Sequence, residues 1–372
     1  MVGHLDPGGV GLIDVSGSAA ARGRAQGSAF RDAVHSHLAA LLGSLERAGI
    51  DAPEAYLREL VGNTTFREDL ACDMPHLLDE VGGVAEGAGL DPELVYALQL
   101  MDEEWAYRGA RGARPKREKC SSIALRDSQA GATWIGQNMD LGDYTDGFQR
   151  VVRHASQGGR PGALILTTAG VIALLGANDA GVAVCVNSLP QLPSTRHGIP
   201  VAFMIRRLLE ARSAAEAAEL CRSLPHATNQ HYLVADAELV VSLECSAAGV
   251  MEYRSPDAAR VLHTNHPLAG SAERYPDREA NSVARLRTLE ARVAGGRPSL
   301  EVMQAALTAR DDPDNPVCRP GSEGGLIGFT TCSMISRLSA STPRVESWLS
   351  FGPPSERGYQ LFEIETARAA AW

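Results

Sequence analysis

The run Arg108–Lys119, Arg-Gly-Ala-Arg-Gly-Ala-Arg-Pro-Lys-Arg-Glu-Lys, divides this chain into two textures. Its cations, glycines and proline suit neither a helix nor a strand, so an exposed, mobile segment is expected there. Upstream, apolar residues recur at helical spacing. Downstream, they alternate or cluster as in strands. The chain is thus restricted to a helical leading part followed by a strand-rich body, and Cys120 is the first residue of the second part.

In the leading part Ala25, Phe30, Val34, Leu38, Leu41 and Leu42 predict a helix over 18–45. Gly23 and Gly27 near its start imply close packing or a late start. Further helices are expected over 53–60, over 69–86 with breaks at Pro75 and Gly82-Gly83, and from Asp91 as N-cap to Trp105. Residues 1–15 are Gly-rich and give no periodicity.

After Cys120, strands are expected at 121–126, 132–138, 149–154, 162–168, 171–175 and 181–186, then helices at 199–211 and 213–223. Strands at 231–235, 239–244, 249–253 and 260–263 precede helices at 278–293 and 299–309. Strands at 329–336, 344–351 and 359–364 close the chain. Strands and helices in blocks, rather than in βαβ alternation, imply an α+β fold of antiparallel sheets covered by helices.

The bulk properties exclude several classes. A net charge of −10 gives no basic surface for nucleic acid. The longest apolar runs, such as 162–168, fall far below the roughly 20 residues that span a bilayer. The start Met1-Val2-Gly3-His4-Leu5-Asp6-Pro7 lacks the pattern of a secretory signal. Seven cysteines, none in a Cys-x-x-Cys pair, suit a reducing cytoplasm and, for most of them, small core positions, Cys185 and Cys245 among them. His263-Thr264-Asn265-His266 is not spaced as a helical metal pair, so no metal site is expected. No Gly-Lys phosphate loop and no Gly-x-Ser-x-Gly elbow occurs.

Cys120 heads a strand directly behind the cationic run. If its thiol attacks the Lys119 carbonyl, an N-to-S shift and hydrolysis separate Lys119 from Cys120. The new α-amine, with a pKa of about 7.7–8.0, is then a base beside the thiol. Asp140, at the end of the next strand with Asn138, can hold that amine, and Asn265 can donate to an oxyanion. Asn187, at another strand end, is a further donor. Each of these residues equally fits an ordinary strand-end turn, and Cys120 an ordinary core cysteine.

Taken together, Cys120-Ser-Ser-Ile, Gly136-Gln-Asn-Met-Asp140, Gly181-Val-Ala-Val, Asn187-Ser-Leu and His263-Thr-Asn-His266 resemble the acyl-coenzyme A:6-aminopenicillanic acid acyltransferase family. Upstream, Pro75, Glu80, Gly83, Ala85-Glu86-Gly87-Ala88-Gly89 and Glu103-Glu104 fit that family's segment before the cut. The resemblance covers most of residues 20–365. It implies an N-terminal nucleophile hydrolase fold, a four-layer αββα sandwich with a helical N-terminal segment. Residues 1–119 would become a small subunit that stays bound to residues 120–372. The resemblance carries the nucleophile onto Cys120, the amine-orienting carboxylate onto Asp140 and the polar asparagine onto Asn265. Ser122 and Asn187 follow as supporting residues.

Three departures stand out: Lys119 in place of Gly before the cysteine, Met139 in place of Trp before the aspartate, and Gly325-Leu326-Ile327-Gly328 in place of a segment with arginine. The last argues against a carboxylate-bearing β-lactam. The expected activity is amide hydrolysis or acyl transfer on a small amide, ester or thioester. No bound cofactor is expected, with a coenzyme A thioester as the candidate co-substrate, and a homo-oligomer is compatible with the sequence. Two rivals stay open: an uncut cysteine hydrolase with His263 or His266 as base, and a silent member of the fold that only binds a small molecule.

Overall fold

The computed structural model describes residues 4–5, 11–112, 119–270, 280–321, 328–342 and 344–366. The leading part forms β1 (His4–Leu5), β2 (Gly11–Val15) and seven helices: α1 (Ala19–Ala29), α2 (Arg31–Arg47), α3 (Pro53–Gly62), α4 (Phe66–Asp73), α5 (Pro75–Ala88), α6 (Pro92–Leu98) and α7 (Met101–Ala110). Pro75 starts a helix instead of breaking one, because the first turn needs no N–H from it. Gly82-Gly83 does not interrupt α5 either. Helix α7 continues to Ala110, into the run read as helix-poor, whose residues 113–118 lie outside the described residues.

The glycines explain how the leading part packs. A Cβ on Gly23 or Gly27 of α1 would stand 1.8 or 2.1 Å from the carbonyl oxygens of Glu80 and Val84. A Cβ on Gly83 or Gly87 of α5 would stand 2.2 Å from those of Ala20 and Arg24. The two helices touch backbone to backbone, which only glycine allows. Of the two readings of Gly23 and Gly27, close packing is the one the structure shows.

The second part supplies β3 (Ser121–Asp127), β4 (Ala132–Leu141), β5 (Gln149–His154), β6 (Ala163–Thr168), β7 (Leu175–Asn178) and β8 (Ala183–Ser188). Then come α8 (Val201–Leu208), α9 (Ala214–Ser223), β9 (Gln230–Ala235), β10 (Val240–Ser246), β11 (Gly249–Glu252) and β12 (Arg260–His263). Helices α10 (Ala280–Val293) and α11 (Leu300–Leu307), strands β13 (Phe329–Ser339) and β14 (Arg344–Ser350), the short α12 (Pro354–Arg357) and β15 (Gln360–Glu365) complete it.

Among the described residues these strands form two sheets, ordered β1-β2-β5-β6-β7-β8-β9-β10-β11 and β12-β3-β4-β13-β14-β15. Every pairing is antiparallel except β2 with β5, where Gly11–Val15 runs alongside Arg150–His154. The sheets face each other through β3 and β4 against β8. Helices α8 and α9 cover the first sheet and α10 and α11 the second. This is the four-layer αββα sandwich. Its interior strands read as continuous apolar runs because both faces are covered.

The leading part is not a detached domain. Strand β2 extends the first sheet, and buried Glu80 of α5 is held by Arg22 of α1 and Arg206 of α8 at 3.1 Å each. Burial works to raise the Glu80 pKa, but Arg206, His154 and Arg22 outweigh it and hold it at about 2. Among the described residues, no helix is long and apolar enough to cross a membrane.

Candidate active site

Cys120 is buried immediately before β3. The β3–β4 register pairs Ser121 with Asn138 and Ser122 with Gln137, so alternate residues serve opposite faces. Asn138 and Ser121 look toward the helical layer. There Asn138 Nδ2 donates to the carbonyls of Leu307 (2.7 Å) and Val317 (3.0 Å). Ser122 looks toward the first sheet, where its hydroxyl meets Asn187 Oδ1 at 2.7 Å. Gln137 clamps the backbone of Val186 on the same side: its Oε1 accepts from the Val186 N–H at 2.7 Å, and its Nε2 donates to the Val186 carbonyl.

Cys120 lines a narrow cavity between the sheets, about 30 Å³, enough for a water molecule or two. Met139, Leu141, Leu174, Val186 and Ile205 make its wall apolar. Asp102 and Gln230 make one part polar, bonded to each other at 2.7 Å. Burial raises the Asp102 pKa. Its neighbour Glu103 is raised as well, by burial first and then by the Asp102 charge.

Behind Cys120 stands Arg285, which the sequence reading missed. Its side chain is fully buried in α10. It donates to the Cys120 carbonyl (2.5 Å), Ser121 Oγ (2.8 Å), Asn265 Oδ1 (2.8 Å) and Asn281 Oδ1 (2.9 Å). A buried guanidinium needs such acceptors for its N–H groups. Asn265 Oδ1 also accepts the Cys120 backbone N–H at 2.8 Å. Two converging donors fix which end of the amide faces Cys120. Asn265 Nδ2 is then turned to the Ser188 carbonyl at 3.0 Å. With the Lys119–Cys120 peptide bond intact, Asn265 thus acts as an acceptor at Cys120, and the donor role expected of it is spent on Ser188.

Asp140 is the last residue but one of β4 and is buried. Thr330 donates to its Oδ1 at 2.7 Å, and its Oδ2 has no hydrogen-bond partner among the described residues. Burial lifts its pKa to about 6 against the opposing charges of Arg285, Arg319 and Lys119. At neutral pH it is mostly ionised. Asn187 Oδ1 takes hydrogen bonds from Ser122 and His231 (3.0 Å), whereas its Nδ2 is buried without a partner among the described residues.

The two histidines proposed as bases are engaged elsewhere. His263 Nε2 meets Glu244 at 2.9 Å, Nδ1 meets the Thr264 carbonyl at 2.8 Å, and the ring stacks on His231 at 3.6 Å. His266 Nδ1 faces Ser282 Oγ at 2.7 Å. Neither lines the cavity at Cys120. The segment 325–327, expected to bear on the substrate, lies outside the described residues.

The sequence pattern that defines the acyl-coenzyme A:6-aminopenicillanic acid acyl-transferase family matches residues 128–323, a little over half of the chain. The chain belongs to this family. The match takes in Asp140, Asn187, Asn265 and Arg285 and begins eight residues after Cys120. Among curated relatives, the 40 kDa form of acyl-coenzyme A:6-aminopenicillanic-acid-acyltransferase from Emericella nidulans is 26% identical over 269 residues, 70% of this chain and 72% of its own. Solved structures similar to this acyl-transferase family member include the Caenorhabditis elegans ortholog of N-acylethanolamine-hydrolyzing acid amidase. It has a TM-score of 0.42 and 18% identity, over 58% of this chain and 92% of that one. A conjugated bile acid hydrolase variant from Clostridium perfringens has a TM-score of 0.40 and 14% identity, over 66% and 92%.

Proposed function

We propose that this protein is a self-processing cysteine amidohydrolase or acyltransferase, with Cys120 as both the site of its own cleavage and the nucleophile of turnover. The reading rests on one observation: the backbone nitrogen of Cys120 is held by the buried Asn265–Arg285 pair while Cys120 itself lines the inter-sheet cavity. A backbone nitrogen held in that way becomes, after the cut, a base of fixed position.

In maturation the thiol adds to the Lys119 carbonyl and the C–N bond breaks. The amine leaves with the thiol proton, and water hydrolyses the thioester. In turnover the α-amine takes the thiol proton and the sulfur attacks the carbonyl of a small amide, ester or thioester. The leaving group departs with that proton, and the acyl-Cys120 thioester passes its acyl group to water or an amine. Asp140 and the acceptor oxygen of Asn265 orient the ammonium form. The unspent Nδ2 of Asn187 is the candidate oxyanion donor, and Ser122 and His231 keep it in place. The cavity wall is largely apolar, and at about 30 Å³ the cavity must widen to take even a short apolar acyl group. A coenzyme A thioester would enter as substrate, and the chemistry draws on the chain's own groups. After cleavage, residues 1–119 would stay attached through β2–β5 and Glu80–Arg206. The seven cysteines form no disulfide among the described residues, which suits a reducing compartment such as the cytoplasm.

An activated ester such as p-nitrophenyl butyrate tests the nucleophile. Rapid quenching should give one added acyl group on the peptide that begins at Cys120, and the Cys120→Ala variant should show neither adduct nor turnover. Turnover at the wild-type rate in that variant would reject the assignment.

A further inference from the structure

A second cluster of reactive side chains lies in the helix–sheet interface away from Cys120. Cys221 is near the end of α9, Cys245 is in β10, and His226 follows α9; all three are buried. One ligand atom from each, two sulfurs and a ring nitrogen, lie within 4.8 Å of one another. The sulfurs are 3.6 Å apart. A disulfide needs about 2.05 Å. Two thiolates on one tetrahedral zinc, at about 2.3 Å each, stand roughly 3.8 Å apart. As thiols the pair is in hydrogen-bonding contact, and as thiolates it stands close to the spacing that one zinc would impose.

The histidine is prepared in the way metal ligands are. His226 Nε2 lies 2.8 Å from the Cys221 carbonyl, so it carries the proton and donates. That leaves the lone pair on Nδ1, which is buried and has no hydrogen-bond partner among the described residues. Fixing the tautomer through a backbone carbonyl is the usual outer-shell support of a ligating histidine. Tyr232 pairs with Leu243 in the β9–β10 ladder and so shares a sheet face with Cys245. Its ring is 5.8 Å from that of His226, and its buried hydroxyl also lacks a partner. The interface therefore leaves a ring nitrogen and a hydroxyl unsatisfied around two thiols.

We propose that Cys221, Cys245 and His226 bind a zinc ion, with the fourth position taken by water or the Tyr232 hydroxyl. Binding releases the two thiol protons to solvent, and the two thiolates neutralise the ion. The buried site then carries no net charge. Soft sulfur with imidazole favours zinc over magnesium or calcium. The role is structural: the ion would tie α9 to β10 and anchor the segment leading to Thr228 and Gln230, which bond Glu103 and Asp102 beside the Cys120 cavity.

The test uses the full chain refolded with and without zinc under reducing conditions. We expect one zinc per chain, retained on gel filtration, and a zinc-edge X-ray absorption spectrum with two sulfur scatterers and imidazole. Cobalt(II) in its place should give thiolate charge-transfer bands. These should persist in Cys120→Ala and vanish in Cys221→Ser and Cys245→Ser. Failure of the wild type to retain zinc, a first shell of oxygen and nitrogen only, or a Cys221–Cys245 disulfide would each overturn the proposal. The absorption spectrum needs no variant, so a misfolded serine variant leaves the test intact.

Discussion

Arg285 illustrates how much of the site is decided by single residues. Its guanidinium fixes the carbonyl of Cys120 and the amide of Asn265 together, and its charge reaches Asp140. Lysine keeps the charge but not the planar fork. Arg285→Lys should therefore slow self-cleavage about tenfold or more, the equivalent of ~1.4 kcal/mol. The acid limb of the self-cleavage rate, set by ionisation of Asp140 in the uncut chain, should stay near pH 6. In Arg285→Met the opposing charge is gone and the Asp140 pKa rises further. The limb of the residual self-cleavage should then move to higher pH. A pH–rate profile of the two variants checks this, and identical limbs would refute it. The residue was readable in principle: Ser282, Arg285, Leu289 and Val293 form the buried stripe of α10. An arginine on an apolar stripe is a signal, but its partners come from β3 and from the segment after β12, and their meeting is a matter of tertiary structure. Cys120, Asp140, Asn187 and Asn265 could be singled out beforehand because they sit at strand ends in a known order. The acceptor role of Asn265 could not, because it depends on which donors converge on it.

At the scale of elements, the α1–α5 contact is a sharp test of the packing account. Gly82 and Gly83 are neighbours in α5, yet a Cβ on Gly82 meets nothing within 4 Å, whereas one on Gly83 meets the Ala20 carbonyl. Gly82→Ala should stabilise by about 0.5–1 kcal/mol through helix propensity. Gly83→Ala should destabilise by about 2–3 kcal/mol through overpacking. Urea unfolding of both variants checks the pair, and equal effects would contradict backbone-to-backbone packing. The same contact explains why Gly83 reads as a helix break: local propensity disfavours it, and close packing, from which Gly82 gains nothing, overrides that. Strand β5 matches its expected bounds because turn residues flank it on both sides. Strand β7 does not: it was expected at 171–175 and runs over Leu175–Asn178. Val171–Leu174 are buried, and they form an irregular segment between the Ala169-Gly170 turn, with Gly170 at φ 89°, and β7. Hydrophobicity alone cannot separate a buried irregular segment from a strand. Strand β2 went unread because its signal is a parallel partner about 140 residues away.

At the scale of the whole molecule, buried titratable groups set the dependence of stability on pH. Glu80 is held at about 2, below its ordinary 4.5, so its contribution is complete above pH 4.5 and is lost as pH falls toward 2. Burial keeps His37 near 4 and His154 near 3, so acid also favours the unfolded chain below about pH 6.5. Asp140 and Glu103 act in the opposite sense. The native state keeps protons that the unfolded chain releases, Asp140 up to about 6 and Glu103 up to about 8, so stability falls as pH rises through those windows. Thermal stability should peak roughly at pH 6 and decline toward pH 8. Glu103→Gln, which keeps an acceptor for Val201 N and Thr228 Oγ1, should flatten that decline. Calorimetry across the range checks both statements, and a melting temperature that climbs from pH 6 to 8 would contradict them.

Cutting before Cys120, by which we propose that the molecule makes its own catalyst, underlies every other step. Denatured intact mass of freshly purified protein, beside a Cys120→Ala control, tests it most directly. Two masses that divide the chain between Lys119 and Cys120, co-purifying under native conditions, are expected, with a single full-length mass in the control. One full-length mass in the wild type, unchanged on incubation while the enzyme turns over substrate, would contradict it.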